Sequence, residues 1–295
     1  MRMIKYLLIG FLSLSLNSKA QQKKIENSLL WEISGNGLKK SSYLFGTYHF
    51  AGKDFIDTMK VLQTKLGMAD AIVGELIIDD TMLAKLTPHM LMKNNFLDNI
   101  LTPDQYQLVA AYLKKISGYD LKLFNSMKPV VVQITIMQFT APKTISDTNP
   151  ALDQYIQDYG KANNKKLIGL ETAEDQATIL FGNNLDRQKE LLLKSVANEE
   201  KNKKEGQKLY DYYITQNLKA LEKLFVKSDD YTQEELDLLL KNRNVKWMAQ
   251  LPILMQNQSL FIAVGAGHLV GEDGLIKALT AKGYEVKPLN VSTIN

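Results

Sequence analysis

The tetrapeptide Gly-x-x-His occurs near both ends of this 295-residue chain, each time directly after an apolar run. Tyr43-Leu44-Phe45 leads into Gly46-Thr47-Tyr48-His49, and Phe261-Ile262-Ala263-Val264 leads into Gly265-Ala266-Gly267-His268. An apolar run closed by glycine reads as a buried strand that ends in a sharp turn. The two copies hold two of the only three histidines. Imidazole is a neutral metal ligand and a proton carrier near neutral pH. The pattern therefore calls for a fold in which the two motif strands end at one rim, so that a single site is assembled from both halves of the chain.

The stretches between these motifs fit such a fold. Leu29–Ile33 and Ser42–Phe45 flank Gly35, Asn36 and Gly37, which tolerate positive φ, and so predict a β-hairpin. Asp54 is placed to cap a helix through about Met68, with Ile56, Met59, Leu62 and Leu66 on one face. Ala71 to Ile78 is apolar except for Glu75 and predicts a buried strand. Thr102-Pro103-Asp104 is a helix start, with a hydroxyl cap and Pro at the first helical position. Val130–Phe139 is apolar enough to be buried, and its period favours neither helix nor strand. A helix from Asp153 to Ala162 feeds a strand at Lys166–Leu170, and Arg187–Phe225 carries Glu, Lys and Leu at helical spacing. Within it the Glu199-to-Lys208 charge run reads as a solvated helix face. The chain closes as strand, loop, helix (Gly274–Ala281) and strand, with Gly283 as the glycine stop. Strands alternating with helices predict an α/β fold, a largely parallel sheet flanked by helices, with a helical insertion. No Pro/Gly/Ser linker divides the chain, so residues 21–295 read as one domain.

Residues 1–20 read as a secretory signal peptide. Arg2 and Lys5 form a positive start, Tyr6–Leu16 an apolar stretch too short for a membrane span, and Ser18-Lys19-Ala20 a small-x-small cleavage site. Cleavage after Ala20 predicts an exported, periplasmic protein with no stable membrane insertion. The formal charge of +4 reflects 36 Lys+Arg against 32 Asp+Glu. Arg2, Lys5 and Lys19 leave with an acid-free leader, which leaves 33 against 32, or +1, and no case for nucleic acid as a partner. The chain contains no cysteine. That excludes disulfides, thiolate metal sites and cysteine nucleophiles, so any metal has to be held by His and carboxylate. A remainder of about 275 residues buries a sizeable core unaided.

In an α/β sheet, ligands gather beyond the carboxyl ends of the strands. His49, Glu75, Glu171 and His268 all fall at or near such ends. Two imidazoles and two carboxylates on one rim suit a divalent ion with an open position for water. The metal candidates are His49, His268 and a glutamate, Glu75 or Glu171. A carboxylate alone in an apolar strand needs a partner, which marks Glu75 for a site role. Glu171 reads equally well as a cap of the following helix. Arg243-Asn244 supplies a guanidinium able to steady negative charge and an amide able to orient a ligand. Arg243 paired with a helix acid is the plainer reading, and Asp153 is equally ambiguous. His89, in Thr87-Pro88-His89-Met90, reads as an ordinary histidine. No Gly-x-Ser-x-Gly elbow, phosphate loop or His-Glu-x-x-His helix is present.

The ordered set resembles the TraB/PrgY/GumN family, which includes the TIKI metalloproteases of animals. The matching residues are Leu30-Trp31, Tyr43–His49, Glu75, Lys128-Pro129, Leu152-Asp153, Gly169–Thr172 with Gln176, Arg243-Asn244 and Val264–Leu269, within a resemblance spanning about Leu29 to Val291. The resemblance implies an α/β fold related to erythromycin esterase-like and haem-binding ChaN-like proteins. For the TIKI branch it implies peptide hydrolysis dependent on a divalent ion, manganese or cobalt before zinc. It carries the motif histidines onto His49 and His268 and the family glutamate onto Glu75, and it matches Glu171, Arg243 and Asn244 without fixing their roles.

Three functions stay open at this point. The first is an exported metal-dependent hydrolase, metalloprotease-like, acting on a peptide. The second is a metal-independent, esterase-like hydrolase in which a histidine activates water. The third is a protein that binds a peptide or small-molecule ligand in the same pocket without turnover.

Overall fold

The computed structural model describes residues 27–226 and 230–291. The segment read as a signal peptide lies outside the described residues. Among the described residues six strands form one sheet: β1 (Leu30–Ser34), β2 (Ser42–Thr47), β3 (Ala71–Gly74), β4 (Lys166–Gly169), β5 (Leu260–Gly265) and β6 (Glu285–Pro288), in the order β4-β3-β5-β2-β1-β6. The pairs β4–β3, β3–β5 and β5–β2 are parallel, while β2–β1 and β1–β6 are antiparallel. The sheet is thus mixed, which corrects the expectation of a largely parallel one. The cause is the hairpin: its turn reverses β1 against β2, through Gly35, Asn36 and Gly37 at φ of 74°, 47° and 80°. The last strand then adds to the outer edge of β1 rather than to the parallel block.

Helices fill the connections. Between β2 and β3 lie α1 (Asp54–Asp57) and α2 (Lys60–Met68), two short helices where one was expected. Between β3 and β4 come α3 (Met82–Met90), α4 (Leu97–Ile100), α5 (Pro103–Ser117), α6 (Pro129–Thr140) and α7 (Leu152–Ala162). Between β4 and β5 come α8 (Ala173–Phe181), α9 (Leu185–Ala197), α10 (Glu199–Ile214), α11 (Leu218–Val226), α12 (Gln233–Leu236) and α13 (Asn242–Met255), and α14 (Leu275–Ala281) precedes β6. Thr102 caps α5 in a reciprocal box with Gln105, as its sequence requires. Among the described residues no helix is long and apolar enough to cross a membrane.

Two of the apolar clusters among the described residues carry most of the packing. The main one packs the sheet against α2, α7, α13 and α14, with Phe45, Leu62, Ile72, Ile156, Trp247, Phe261 and Leu279 fully or nearly fully buried. The other lies among the inserted helices, where Val109, Leu113, Val132, Ile136, Leu192 and Val196 meet. On the neighbouring face of α6, Val131 packs with Ala177 and Phe181 of α8.

The run expected to extend β3 to Ile78 stops at Gly74. Beyond it the buried side chain of Gln157 replaces the ladder: its amide donates to the Leu76 carbonyl (2.9 Å), and its oxygen accepts from the Ile78 N–H (2.9 Å). Glu75 therefore stands just past the strand end, with its carbonyl accepting from the Glu171 N–H at 2.8 Å. The bend turns an apolar run into the floor of a site.

The two Gly-x-x-His strands are immediate parallel neighbours, with Gly46 opposite Val264 and Thr47 opposite Gly265. A Cβ at Gly46 would lie 3.1 Å from the Ala266 Cα, the Ala266 Cβ and the Leu269 Cδ2. Glycine here lets β2 approach the turn after β5. We expect Gly46→Val to overpack this contact and lower stability by about 1–3 kcal/mol. A urea melt should show a lower midpoint at an unchanged slope, and an unchanged midpoint would contradict the close approach.

Candidate functional site

Arg243, on the first turn of α13, joins the residues of the rim. Its Nε donates to Glu171 Oε1 (2.8 Å) and its Nη2 to Glu171 Oε2 (2.9 Å), a two-pronged pairing. Nη2 also donates to Glu75 Oε2, and Nη1 to the Leu239 carbonyl at 3.2 Å and to His268 Nε2 at 2.9 Å. Leu239 lies in a π turn, Asp237–Lys241, just ahead of α13. Glu171 is sealed further by the Trp247 indole N–H (3.0 Å) and is 2% exposed as a side chain. The cap of α8 is Thr172, in a reciprocal box with Asp175, so Glu171 is free to serve Arg243 instead. The two carboxylates come from the ends of β3 and β4 and the guanidinium from a helix 168 and 72 residues away. Arg243 is thus an ion-pair hub rather than the partner of an acid on its own helix.

Asn244 fixes His268. The Asn244 amide nitrogen donates to the carbonyls of His268 (3.1 Å) and Asp273 (2.8 Å), which leaves its oxygen as acceptor toward His268 Nδ1 at 2.8 Å. Nδ1 therefore carries the proton, and Nε2 presents a lone pair that accepts from Arg243. His268 is buried on a short 3₁₀ turn after β5, its ring 4.3 Å from that of Trp247. Burial first, then the positive charges of Arg243 and His49, push its pKa down to about 3 against the opposing pull of Glu75. His268 is neutral throughout the physiological range.

Glu75 resists burial in the opposite sense. Desolvation raises its pKa, but His268, Arg243, His49 and the Gly265 amide (2.8 Å from Oε1) outweigh it and hold the carboxyl at about 2. Because His268 carries no charge above about pH 3, the Arg243 guanidinium, the His49 imidazolium and the Gly265 amide are what keep Glu75 ionised at neutral pH. Gln176 of α8 donates to the same Oε2 at 3.2 Å.

His49 faces the opposite way. Its side chain is 66% exposed, and its Nδ1 donates to Asp153 Oδ2 at 2.9 Å. Thr47 Oγ1 holds the other Asp153 oxygen at 2.7 Å. Asp153 lies in the first turn of α7, where the helix N-terminus favours an anion. The Asp153 charge and the hydrogen bond to it raise the His49 pKa to about 9. A cavity of about 190 Å³ opens beside these groups, lined by His49, Glu75, Asp153, Gln157 and Gln176.

The predicted site residues thus fall into two layers. His49 and Glu75 border the cavity; Glu171, Arg243, Asn244 and His268 form a buried support behind Glu75. His89 lies on α3 and takes no part in either layer. Among the described residues no three His, Asp or Glu side chains are placed to hold a metal ion, because the Arg243 guanidinium stands between His268, Glu75 and Glu171. The donor chemistry nonetheless fits a divalent ion. Each histidine has its Nδ1–H held by an oxygen, Asp153 for one and Asn244 for the other; the Nε2 of His49 is then left for a ligand, and that of His268 becomes so once Arg243 withdraws from it. Sequence reasoning left Asp153 undecided and passed over Thr47 and Gln157. Thr47 lay inside the first motif, so its position was the one available signal.

The His49–Asp153 pair makes stability depend on pH. A value above that of a free imidazole, about 6.5, means that the pair contributes fully below that pH and loses its contribution as pH rises toward 9. Solvent around the exposed ring keeps the energy small. In metal-free protein, Asp153→Asn is expected to return the His49 titration midpoint, followed by NMR, to near 6.5. A midpoint that does not move would rule Asp153 out as the cause.

The chain is 24% identical to metalloprotease TIKI2 of Danio rerio over 91% of its length and 25% identical to metalloprotease TIKI1 of Xenopus tropicalis over 95%. It spans only 62% and 66% of those two relatives. No solved structure matches the chain, so the kinship with erythromycin esterase-like and ChaN-like folds stays an expectation of the sequence. The sequence model of the TraB/PrgY/gumN family matches residues 29–288, which include both Gly-x-x-His turns, Glu75, Glu171 and Arg243-Asn244; the chain belongs to this family.

Proposed function

We propose that the protein is an exported metal-dependent hydrolase that cleaves peptide bonds, with His49, His268 and Glu75 as the ligands of one divalent ion. The observation that carries this reading is the pair of oxygen-anchored histidines on either side of a permanently ionised carboxylate. The likeness to the TIKI metalloproteases supports the reaction class. Manganese, cobalt and zinc all suit such a nitrogen and oxygen set.

When bound, the ion would supply Lewis-acid activation of water and of the scissile carbonyl. The chain's own residues do the rest. Asp153 and Asn244 hold the rings in one tautomer. Glu171 accepts two hydrogen bonds from Arg243 and one from Trp247 and is sealed from solvent; it positions Arg243. Arg243 steadies Glu75 and, on yielding His268 Nε2, has donors to offer to negative charge developing on the substrate. Glu75, with a pKa of about 2, is too weak a base to take a proton at neutral pH and serves through its charge.

The Arg243 contact to His268 Nε2 favours one other reading, hydrolysis without a metal. There the solvent-facing His49, oriented by Asp153, would be the acid–base group.

Protein lacking residues 1–20 is expected to bind about one divalent ion by metal analysis. His49→Ala or His268→Ala should abolish binding while far-UV circular dichroism stays native. Because His49 must shed its raised-pKa proton to act as a ligand, binding should tighten as pH rises from 6 to 9. Digestion of a peptide library is expected to stop on chelation and resume on adding manganese. Full metal content in both histidine variants would overturn the ligand assignment, and cleavage that survives exhaustive chelation would favour the metal-free reading.

A further inference from the structure

A second cavity lies outside the site just described. It holds about 380 Å³ among the inserted helices, with Ile134 and Met137 of α6, Leu180 of α8, Leu191 of α9 and Leu238 of the π turn in its walls. Met137, Leu180 and Leu238 are large apolar side chains left exposed. That volume exceeds what loose packing leaves and falls in the range of ligand pockets.

Three elements run from the candidate site into this cavity. Tyr48, in its wall, is the chain neighbour of His49, and its ring packs on Phe50 and Tyr213 at 5.5 and 5.3 Å. Leu239, also in the wall, gives its carbonyl to Arg243. Helix α8 presents Gln176 to Glu75, and Ile179 and Leu180 to the cavity.

The lining specifies what it would hold. Its charged groups are neutralised locally: Lys194 pairs with Asp230 (2.7 Å), Glu235 with Arg187 (2.8 Å) and Glu205 with Lys201 (3.8 Å). An occupant with its own charge finds no counter-charge waiting. The Gln133 amide and the Tyr48 hydroxyl, both in the lining, make no hydrogen bond among the described residues, so each has capacity for a polar backbone. We propose that this cavity is the substrate-recognition pocket and that it takes the apolar side chains of the peptide on one side of the bond cleaved at His49 and Glu75. The proposal rests on the peptide-hydrolase reading for the identity of the occupant, but its geometry stands apart from any metal.

The test reads binding without turnover. The probe is N-phenyl-1-naphthylamine, a neutral apolar fluorophore. Wild-type protein is expected to bind it saturably at about one per chain. Decapeptides rich in Leu and Phe should displace it, while decapeptides of Ser and Gln should not. Ile134→Trp fills the wall. Gly206→Phe is the safer variant, because a Cβ at this lining position meets only Pro142 Cδ, at an ordinary 3.5 Å. Both should weaken probe binding at least tenfold, and Ile253→Ser, which removes an exposed apolar group on α13 outside the cavity, should leave it unchanged. Unchanged binding in both cavity variants would overturn the pocket. Equal displacement by the polar decapeptides would overturn the apolar-peptide assignment. If these results hold and no peptide is ever cleaved, the hydrolase reading fails and the pocket stands.

Discussion

The Arg243 guanidinium, taken out of water and shared between Glu171, Glu75 and His268, is the interaction on which the rim depends. A buried charge of this kind is tolerated only with its partners in place; removing one partner of a buried pair typically costs about 3–5 kcal/mol. The pairing ties α13 to the ends of β3 and β4 and to the turn after β5, so the helix, both carboxylates and the second histidine are placed together. Its consequence is electrostatic as well as mechanical. The same charge, with His49 and the Gly265 amide, keeps Glu75 ionised in a site where burial alone would neutralise it, and it helps keep His268 neutral.

The two histidines that look equivalent in sequence are opposites in structure. His268 is buried, fixed in tautomer by Asn244 and unable to take a proton at ordinary pH. His49 is exposed, held by an acid at a helix start and inclined to keep its proton. Glu75 lies between these regimes, in reach of the Arg243 and His49 charges. Such a division, with one fixed donor and one titrating donor around a permanent anion, suits a site that gathers a cation and a substrate from solvent. The apolar cavity beside Tyr48 would then set which substrates arrive.

What the sequence disclosed follows the range of the interactions involved. The hairpin was legible because Gly35, Asn36 and Gly37 dictate the turn locally, and the β5–α14–β6 unit because Gly265 and Gly283 bracket it. The adjacency of the two Gly-x-x-His strands was legible through their repetition and the scarcity of histidine. The end of β3 was not, because Gln157, about 80 residues away, takes over the backbone after Gly74. The character of α6 was hidden for another reason. Val132 and Ile136 face one core and Val131 another, so the helix is apolar on two sides and shows no period. The sheet direction was misread because β6 returns to the outer edge of the hairpin, a choice no local signal records. The Asp153–His49 pair spans 104 residues and left only an ambiguous acid at a helix start.

Crystals of the protein grown with manganese, measured for anomalous scattering, test the central claim most directly. The result predicted is one anomalous peak within ligand distance of His49 Nε2, His268 Nε2 and a Glu75 oxygen, with the Arg243 guanidinium withdrawn from His268. A peak at any other location, or an Arg243 still bonded to His268 Nε2 with no ion at the rim, would contradict it.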